Sequence, residues 1–136
     1  MKGIADTGFV VAFANRNDAY HEWAVKLAAR VTEPLLTCEA VLAEAAFHLQ
    51  STSTVLALLE RGLLALGFDL EKNLTQVAAL AERYARRKPD LADLCLIRMS
   101  ELHPRHSIIT VDVHDFRIYR RNKRDVLPLI HPPEPG

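Results

Sequence analysis

Short apolar stretches alternating with longer stretches of helical periodicity most limit the folds open to this chain. Gly3-Ile4-Ala5 reads as a first strand, ending at the turn-forming Asp6-Thr7-Gly8. Leu35-Leu36-Thr37 after Pro34, residues 63–68, residues 107–111 closed by Asp112, and residues 126–130 read as four more. Between them, Phe9 to Phe13 opens a first helical turn. Asp18 is placed to cap a helix over 19–30, with Trp23, Leu27 and Val31 on one face. Thr37 is placed to cap a helix running to Gln50, and Ser51 to Thr54 start another that runs to Arg61. Leu74, Val77, Leu80, Ala81 and Tyr84 mark a helix over 71–88, and Asp90, after Pro89, caps one over 91–102. Short, wholly apolar strands cannot leave one face in water, and helices between them supply cover for both faces. The expected fold class is therefore α/β, a three-layer α/β/α sandwich around a central, mainly parallel five-stranded sheet.

A chain of 136 residues suits a single domain, taken as 1–131, followed by a Pro-rich tail, 132–136, read as flexible. No apolar run reaches the ~18 residues of a membrane span, and Met1-Lys2-Gly3-Ile4-Ala5-Asp6 is unlike a signal peptide. A cytoplasmic protein without a membrane partner is the expectation. Cys38 and Cys95 are far apart in sequence and lack CxxC or Cys/His spacing, so they read as two reduced, buried thiols. Seventeen basic and seventeen acidic side chains sum to zero, whereas a nucleic-acid partner ordinarily leaves a basic excess. The zero sum still permits a local positive face, because Arg86-Arg87-Lys88 and residues 117–124 concentrate positive charge.

The acids carry the functional signal. In open parallel sheets, ligands bind in the crevice beyond the carboxyl ends of the strands. Asp6 and Asp112 both follow strands, though an Asp in that place also serves to cap a helix. Glu44 lies within Ala43-Glu44-Ala45-Ala46-Phe47, one turn from Val41 and Phe47, and no Lys or Arg occurs between Arg30 and Arg61. A charge on a packed helix face is costly unless it is paired or binds a metal. A solvent-facing Glu44 is the other option. Asp93 is similarly set in Leu91-Ala92-Asp93-Leu94-Cys95, where Asp90 and Asp93 also fit a cap followed by an acidic first turn. Unit charges about 4–5 Å apart at an effective dielectric near 20 repel by roughly 3–4 kcal/mol per pair. Four converging carboxylates would then consume much of a typical stability of ~5–15 kcal/mol, so they require protons or divalent cations. An all-oxygen donor set favours Mg²⁺ or Mn²⁺ over zinc.

In this order and spacing the acids resemble those of PIN-domain nucleases, in particular VapC-type toxins of toxin–antitoxin pairs. Asp6-Thr7-Gly8 is similar to that family's opening aspartate with its hydroxyl neighbour, Val41-Leu42-Ala43-Glu44-Ala45 to its helix glutamate, and Asp90-Leu91-Ala92-Asp93 to its third acid. Thr110-Val111-Asp112 followed by Asp115-Phe116 is similar to its closing segment. The opening strand is shorter than is usual there, and Leu94 stands where a small residue is common. The resemblance implies a metal-dependent endoribonuclease that cleaves RNA phosphodiester bonds. Asp6, Glu44, Asp93 and Asp112 would hold one or two Mg²⁺ or Mn²⁺ ions. Thr7 and Thr110 would orient neighbouring carboxylates, with Asp90 and Asp115 as outer ligands. A homodimer and a small VapB-like antitoxin are the implied partners. Arg117, Arg120, Arg121, Lys123 and Arg124 are candidates for phosphate contacts, with a solvated charged loop as the alternative. A haloacid-dehalogenase phosphatase needs a second acid where Gly8 stands, and a receiver domain needs an acidic pair that Asp6-Thr7-Gly8 lacks. A PIN-like domain that binds protein or RNA without cutting is the remaining alternative.

Overall fold

Ile4, Ala5, Leu35, Leu64, Ile108 and Ile109 are all buried, as strands covered on both faces must be. The computed structural model describes residues 1–134. In chain order its elements begin with β1 (Gly3–Ala5), α1 (Thr7–Ala14), α2 (His21–Ala28), β2 (Leu35–Thr37), α3 (Glu39–Leu49), α4 (Thr52–Glu60) and β3 (Leu64–Leu66). They continue with α5 (Leu74–Arg83), α6 (Leu91–Leu102), β4 (Ser107–Ile109), α7 (Val113–Ile118), β5 (Arg120–Arg121), β6 (Asp125–Val126) and β7 (Leu129–Ile130). Five strands form one sheet in the order β3-β2-β1-β4-β7, every pairing parallel. Ile4 lies opposite Leu36 on one side and Ile108 on the other. Parallel neighbours need crossover connections, and helices supply them between successive strands of the sheet, giving the three-layer sandwich. No helix among the described residues is long and apolar enough to cross a membrane.

Polar side chains set where several helices begin. Asp6, Ser51, Asp90 and Asp112 each accept a backbone N–H from the first turn that follows. Thr37 does not cap α3. Its hydroxyl donates to the Ala5 carbonyl at 3.1 Å, tying β2 to β1, so the cap position falls to Cys38, which makes no side-chain capping bond. The helix expected over 19–30 contracts to α2, because Asp18 accepts the Tyr20 N–H at 2.8 Å in a turn before it. The helix expected over 71–88 is divided into α5 and flanking 3-10 turns, Glu71–Asn73 and Ala85–Arg87. It stops at Lys88, whose φ is 49° and whose right-handed helical conformation Pro89 disfavours. β4 ends at Ile109, leaving Asp112 three residues beyond the strand rather than immediately after it.

The largest departure lies after β4, where α7 and a hairpin were not foreseen. Residues 126–130 do not form one strand: β6 folds back on β5, and only Leu129–Ile130 joins the sheet. Asn122 and Lys123 both take positive φ, 50° and 70°, as the central residues of a type I′ turn do; the Arg124 N–H closes that turn on the Arg121 carbonyl, and the loop between paired Arg121 and Asp125 is three residues long. Buried Phe116 and Tyr119 anchor this segment, and the Tyr84 hydroxyl accepts the Arg120 N–H at 2.9 Å. Of the expected tail, Pro135 and Gly136 lie outside the described residues. Pro132 is buried, and Glu134 pairs with Arg117.

Gly8 brings α1 close to the loop that follows β4. A Cβ there would stand 2.4 Å from Val111 Cγ2. Valine is stiff at χ1, so the backbone of 110–112 would have to yield. Alanine inside a helix gains about 1 kcal/mol over glycine, whereas overpacking costs about 1–3 kcal/mol. Gly8→Ala is therefore expected to lower the urea midpoint, and an unchanged or higher midpoint would show that the loop gives way freely.

Candidate active site

The sheet's strand order reverses between β1 and β4, so the connections leaving their carboxyl ends diverge and open a crevice. That crevice is a cleft of about 640 Å³ whose walls include Asp6, Glu44, Asp93 and Asp112 together with Asp18, Asp90 and Asp115. Four separate parts of the chain thus bring carboxylates to one sheet edge: β1's end, α3, the start of α6, and the β4–α7 turn. No Lys or Arg among the described residues lines this cleft. Arg87 reaches Asp115 from its rim at 3.9 Å.

Asp6 is the most buried of the set, 6% exposed, and is held on both oxygens. Thr7 N–H donates to Oδ1 at 2.7 Å, and Thr110 Oγ1 donates to Oδ2 at 2.6 Å. Thr110 also accepts the Asp112 N–H at 2.9 Å, which couples the first and last acids through one hydroxyl. Thr7 Oγ1 donates to Glu44 Oε1 at 2.8 Å, leaving Oε2 without that restraint. Thr110→Val keeps the shape but removes a donor from a buried carboxyl. The expected cost is about 1–3 kcal/mol, read as a lower melting temperature, and an unchanged one would show Asp6 to be satisfied without Thr110.

The electrostatics are those of crowded, partly dehydrated acids. Burial lifts the Asp6 carboxyl to about 6 against the bonds from Thr110 and Thr7, with the charges of Asp112 and Glu44 adding to the rise. Burial also lifts Asp93 to about 8, and Asp90, Asp6, Asp112 and Glu44 all push it the same way. Glu44 is raised chiefly by burial and further by Asp90, with the Thr7 bond opposing. Asp112 is raised by burial, against the Asp115 N–H. Asp93 therefore lies in the field of Asp6, Glu44, Asp90 and Asp112.

Do these groups fit a divalent cation? The donors are hard oxygens without a nearby cation to neutralise them, which fits Mg²⁺ or Mn²⁺. Yet no three His, Cys, Asp or Glu side chains among the described residues stand close enough to share one ion. The two observations agree if each ion takes one or two carboxylates and keeps water in its other positions, the usual manner of Mg²⁺.

The basic residues singled out in the sequence lie elsewhere. Arg120 donates to the carbonyls of Arg117, Ile118 and Tyr119 at the end of α7. Arg121 donates to Ser100 and to the Pro104 carbonyl. Arg117 pairs with Glu134, while Lys123 and Arg124 are exposed on the hairpin. Asp18, Tyr20 and His48 line the cleft without having been singled out. His48 was within reach of the sequence, being one turn after Glu44 on the same helix. Asp18 had been read only as a helix cap. A larger groove, about 830 Å³, runs between α3 and α4 past Leu42, Phe47, Val55 and Leu56. It contains no carboxylate and lacks the means for this chemistry.

The family model described as PIN domain matches residues 4–123. No curated protein matches the chain. Among solved structures the chain is similar to the crystal structure of Mycobacterium tuberculosis VapC20, a sarcin-ricin loop cleaving toxin. The two are 20% identical over 77% of this chain and 85% of that one, with a TM-score of 0.61, a likeness of fold.

Proposed function

Since the chain belongs to the PIN-domain family, we propose that it is an endoribonuclease dependent on Mg²⁺ or Mn²⁺, with Asp6, Glu44, Asp93 and Asp112 as its metal-holding residues. The observation that carries this reading is the meeting of those four carboxylates in one cleft at the switch point of the sheet. VapC20's description as a toxin that cleaves the sarcin-ricin loop supports RNA as the substrate class. It also supports a role as the toxin of a pair with a small antitoxin. A divalent ion bound in the cleft supplies Lewis-acid polarisation of the scissile phosphate and neutralises charge there.

The chain's own residues prepare the site. Thr110 and the Thr7 N–H fix Asp6 in one orientation, and Thr7 Oγ1 does the same for Glu44, as groups behind metal ligands do. Asp90 and Asp115 also line the cleft, which supports a role for them as outer ligands. An uncompensated cleft of this charge would repel a phosphodiester, so substrate entry is itself cation-dependent. Arg117, Lys123 and Arg124 remain the candidates for phosphate contact outside the cleft. Exposed Phe47 and Leu56, 78% and 49% accessible beside the α3–α4 groove, support an apolar docking surface for an antitoxin or a second copy of the chain.

The test is direct. Purified protein incubated with single-stranded RNA is expected to cut it in millimolar Mg²⁺ or Mn²⁺ and to stop on addition of chelator. RNA binding without cleavage under either ion would replace this reading with that of a non-catalytic binding domain.

A further inference from the structure

A second groove opens directly off the acidic cleft. Tyr20, Val111 and Asp112 line both, so the two share a wall. The groove encloses about 580 Å³ and continues past His114 and Arg117 of α7 to Pro133 and Glu134. Its charge differs from the cleft's. The cleft is lined by carboxylates without Lys or Arg, whereas the groove offers a guanidinium. Arg117 is the one basic residue of the run 117–124 that lines it. At the junction stands Tyr20, 43% exposed.

The chain beyond β7 forms the groove's far wall. Pro132 is buried, Pro133 fixes the backbone torsion before Glu134, and the Glu134 carboxylate pairs with Arg117. Arg120 and Arg121 are committed to backbone carbonyls. Arg117 instead holds a partner that can be exchanged. Both members of that pair are about half exposed, and a pair so exposed is weak enough for a competing anion to displace.

We propose that this groove is a subsite for the RNA strand beside the cleaved phosphate, with Tyr20 stacking on a base and Arg117 holding a flanking phosphate. Glu134 stands in for that phosphate when RNA is absent. The inference rests on the reading of the cleft as a site of RNA cleavage. A strand engaged in the cleft has to leave it, and the cation on the path across the shared wall is Arg117. A phosphodiester matches the guanidinium's paired donors as a carboxylate does, so the exchange conserves the bonds that Arg117 makes. A phenol ring at the junction suits any base of a single strand, because every base has a π-face. A duplex keeps its bases stacked on one another, so the subsite favours unpaired RNA. Binding must break the Arg117–Glu134 pair, which makes the C-terminal segment a built-in competitor that lowers affinity.

The affinity of the full chain for an end-labelled single-stranded RNA tests this, in Mg²⁺ or Mn²⁺ at physiological salt. It is read as KM where the chain cuts, and as Kd by fluorescence anisotropy where it does not. Glu134→Gln is expected to tighten binding by up to about fivefold, the range of an exposed ion pair. Arg117→Gln is expected to weaken it and to reduce the slope of log affinity against log salt by about 0.7, one single-strand phosphate contact. In the Arg117→Gln background, Glu134→Gln is expected to add little, because at that salt charges act over only about 8 Å. Tyr20→Ala is expected to weaken binding at least about fivefold, and Tyr20→Phe, which keeps the ring, to restore it. Unchanged affinity in Arg117→Gln or in Tyr20→Ala would overturn the subsite. Weaker binding by Glu134→Gln would make Glu134 a support for Arg117, and an equal gain with and without Arg117 would make it a general repulsion. Either result would overturn the competition. Wild-type cleavage with indifferent variants defeats this inference alone. Binding without cleavage, with the variants shifting as expected, defeats the nuclease reading alone, and a chain that neither binds nor cuts defeats both.

Discussion

Asp93→Asn is expected to abolish RNA cleavage and, without divalent cations, to raise the melting temperature. The two effects share one cause. Asp93 is raised to about 8 by burial and by four neighbouring carboxylates, so the folded chain holds it at a cost that asparagine of the same shape does not incur. Asp93 is only half-buried, so solvent screening reduces the cost. A gain on the order of 2 kcal/mol is a reasonable size, or about 5–10 °C in a domain of this length. Outer-shell changes at metal sites typically cost 10–100-fold in activity, so loss of a direct ligand is expected to cost at least about 100-fold. Thermal melts in chelator and single-turnover cleavage of end-labelled RNA read the two effects separately. A variant that loses cleavage and stability together would make Asp93 a structural residue. One that keeps wild-type cleavage would remove it from the site. Such opposition between stability and activity is what a functional cluster of like charges predicts.

Much of this arrangement was legible in the sequence because the physics that imposes it is local. A parallel strand buried on both faces must be apolar along its length, so Ile4, Leu35-Leu36 and Ile108-Ile109 mark themselves. Asp90 followed by an apolar helix announces its cap, and α6 begins and ends as expected. What was not legible depends on tertiary burial. Residues 113–118 are too few to display a helical period, and α7 exists because Asp112 caps it and Phe116 is buried. Residues 126–130 look like a single strand, yet buried Leu127 separates two short ones that pair with different partners. Glu44 was singled out partly for its neighbours Val41 and Phe47. Val41 is buried, but Phe47 is 78% exposed, so only half of that argument holds. What brings Glu44 to the cleft is the Thr7 hydroxyl, a contact across 37 positions that no spacing rule reveals.

The metal-free protein is expected to lose stability as pH rises from about 4 to about 8, and divalent cations are expected to reverse most of that loss. In the unfolded chain Asp93 and Asp6 give up their protons near pH 4, whereas in the folded chain they hold them to about 8 and about 6. Between those limits the folded state binds more protons. Removing protons from solution therefore favours the unfolded state, and stability falls with rising pH. The ordinary salt-bridged carboxylate gives the opposite slope. Glu44 and Asp112 are raised as well, so they steepen the decline at its acidic end. A cation that binds only the folded, deprotonated cluster stabilises it by mass action, about 2.7 kcal/mol at one hundred times its dissociation constant. Protons compete for the same oxygens, so the gain must shrink as pH is lowered. In buffers at pH 5 and pH 8.5, the chelated protein is expected to melt several degrees lower at the higher pH. Millimolar Mg²⁺ or Mn²⁺ is expected to raise that melt by roughly 5–10 °C at pH 8.5 and by little at pH 5. An equal effect at both values, or none with either ion, would mean that the carboxylates do not act together on a cation.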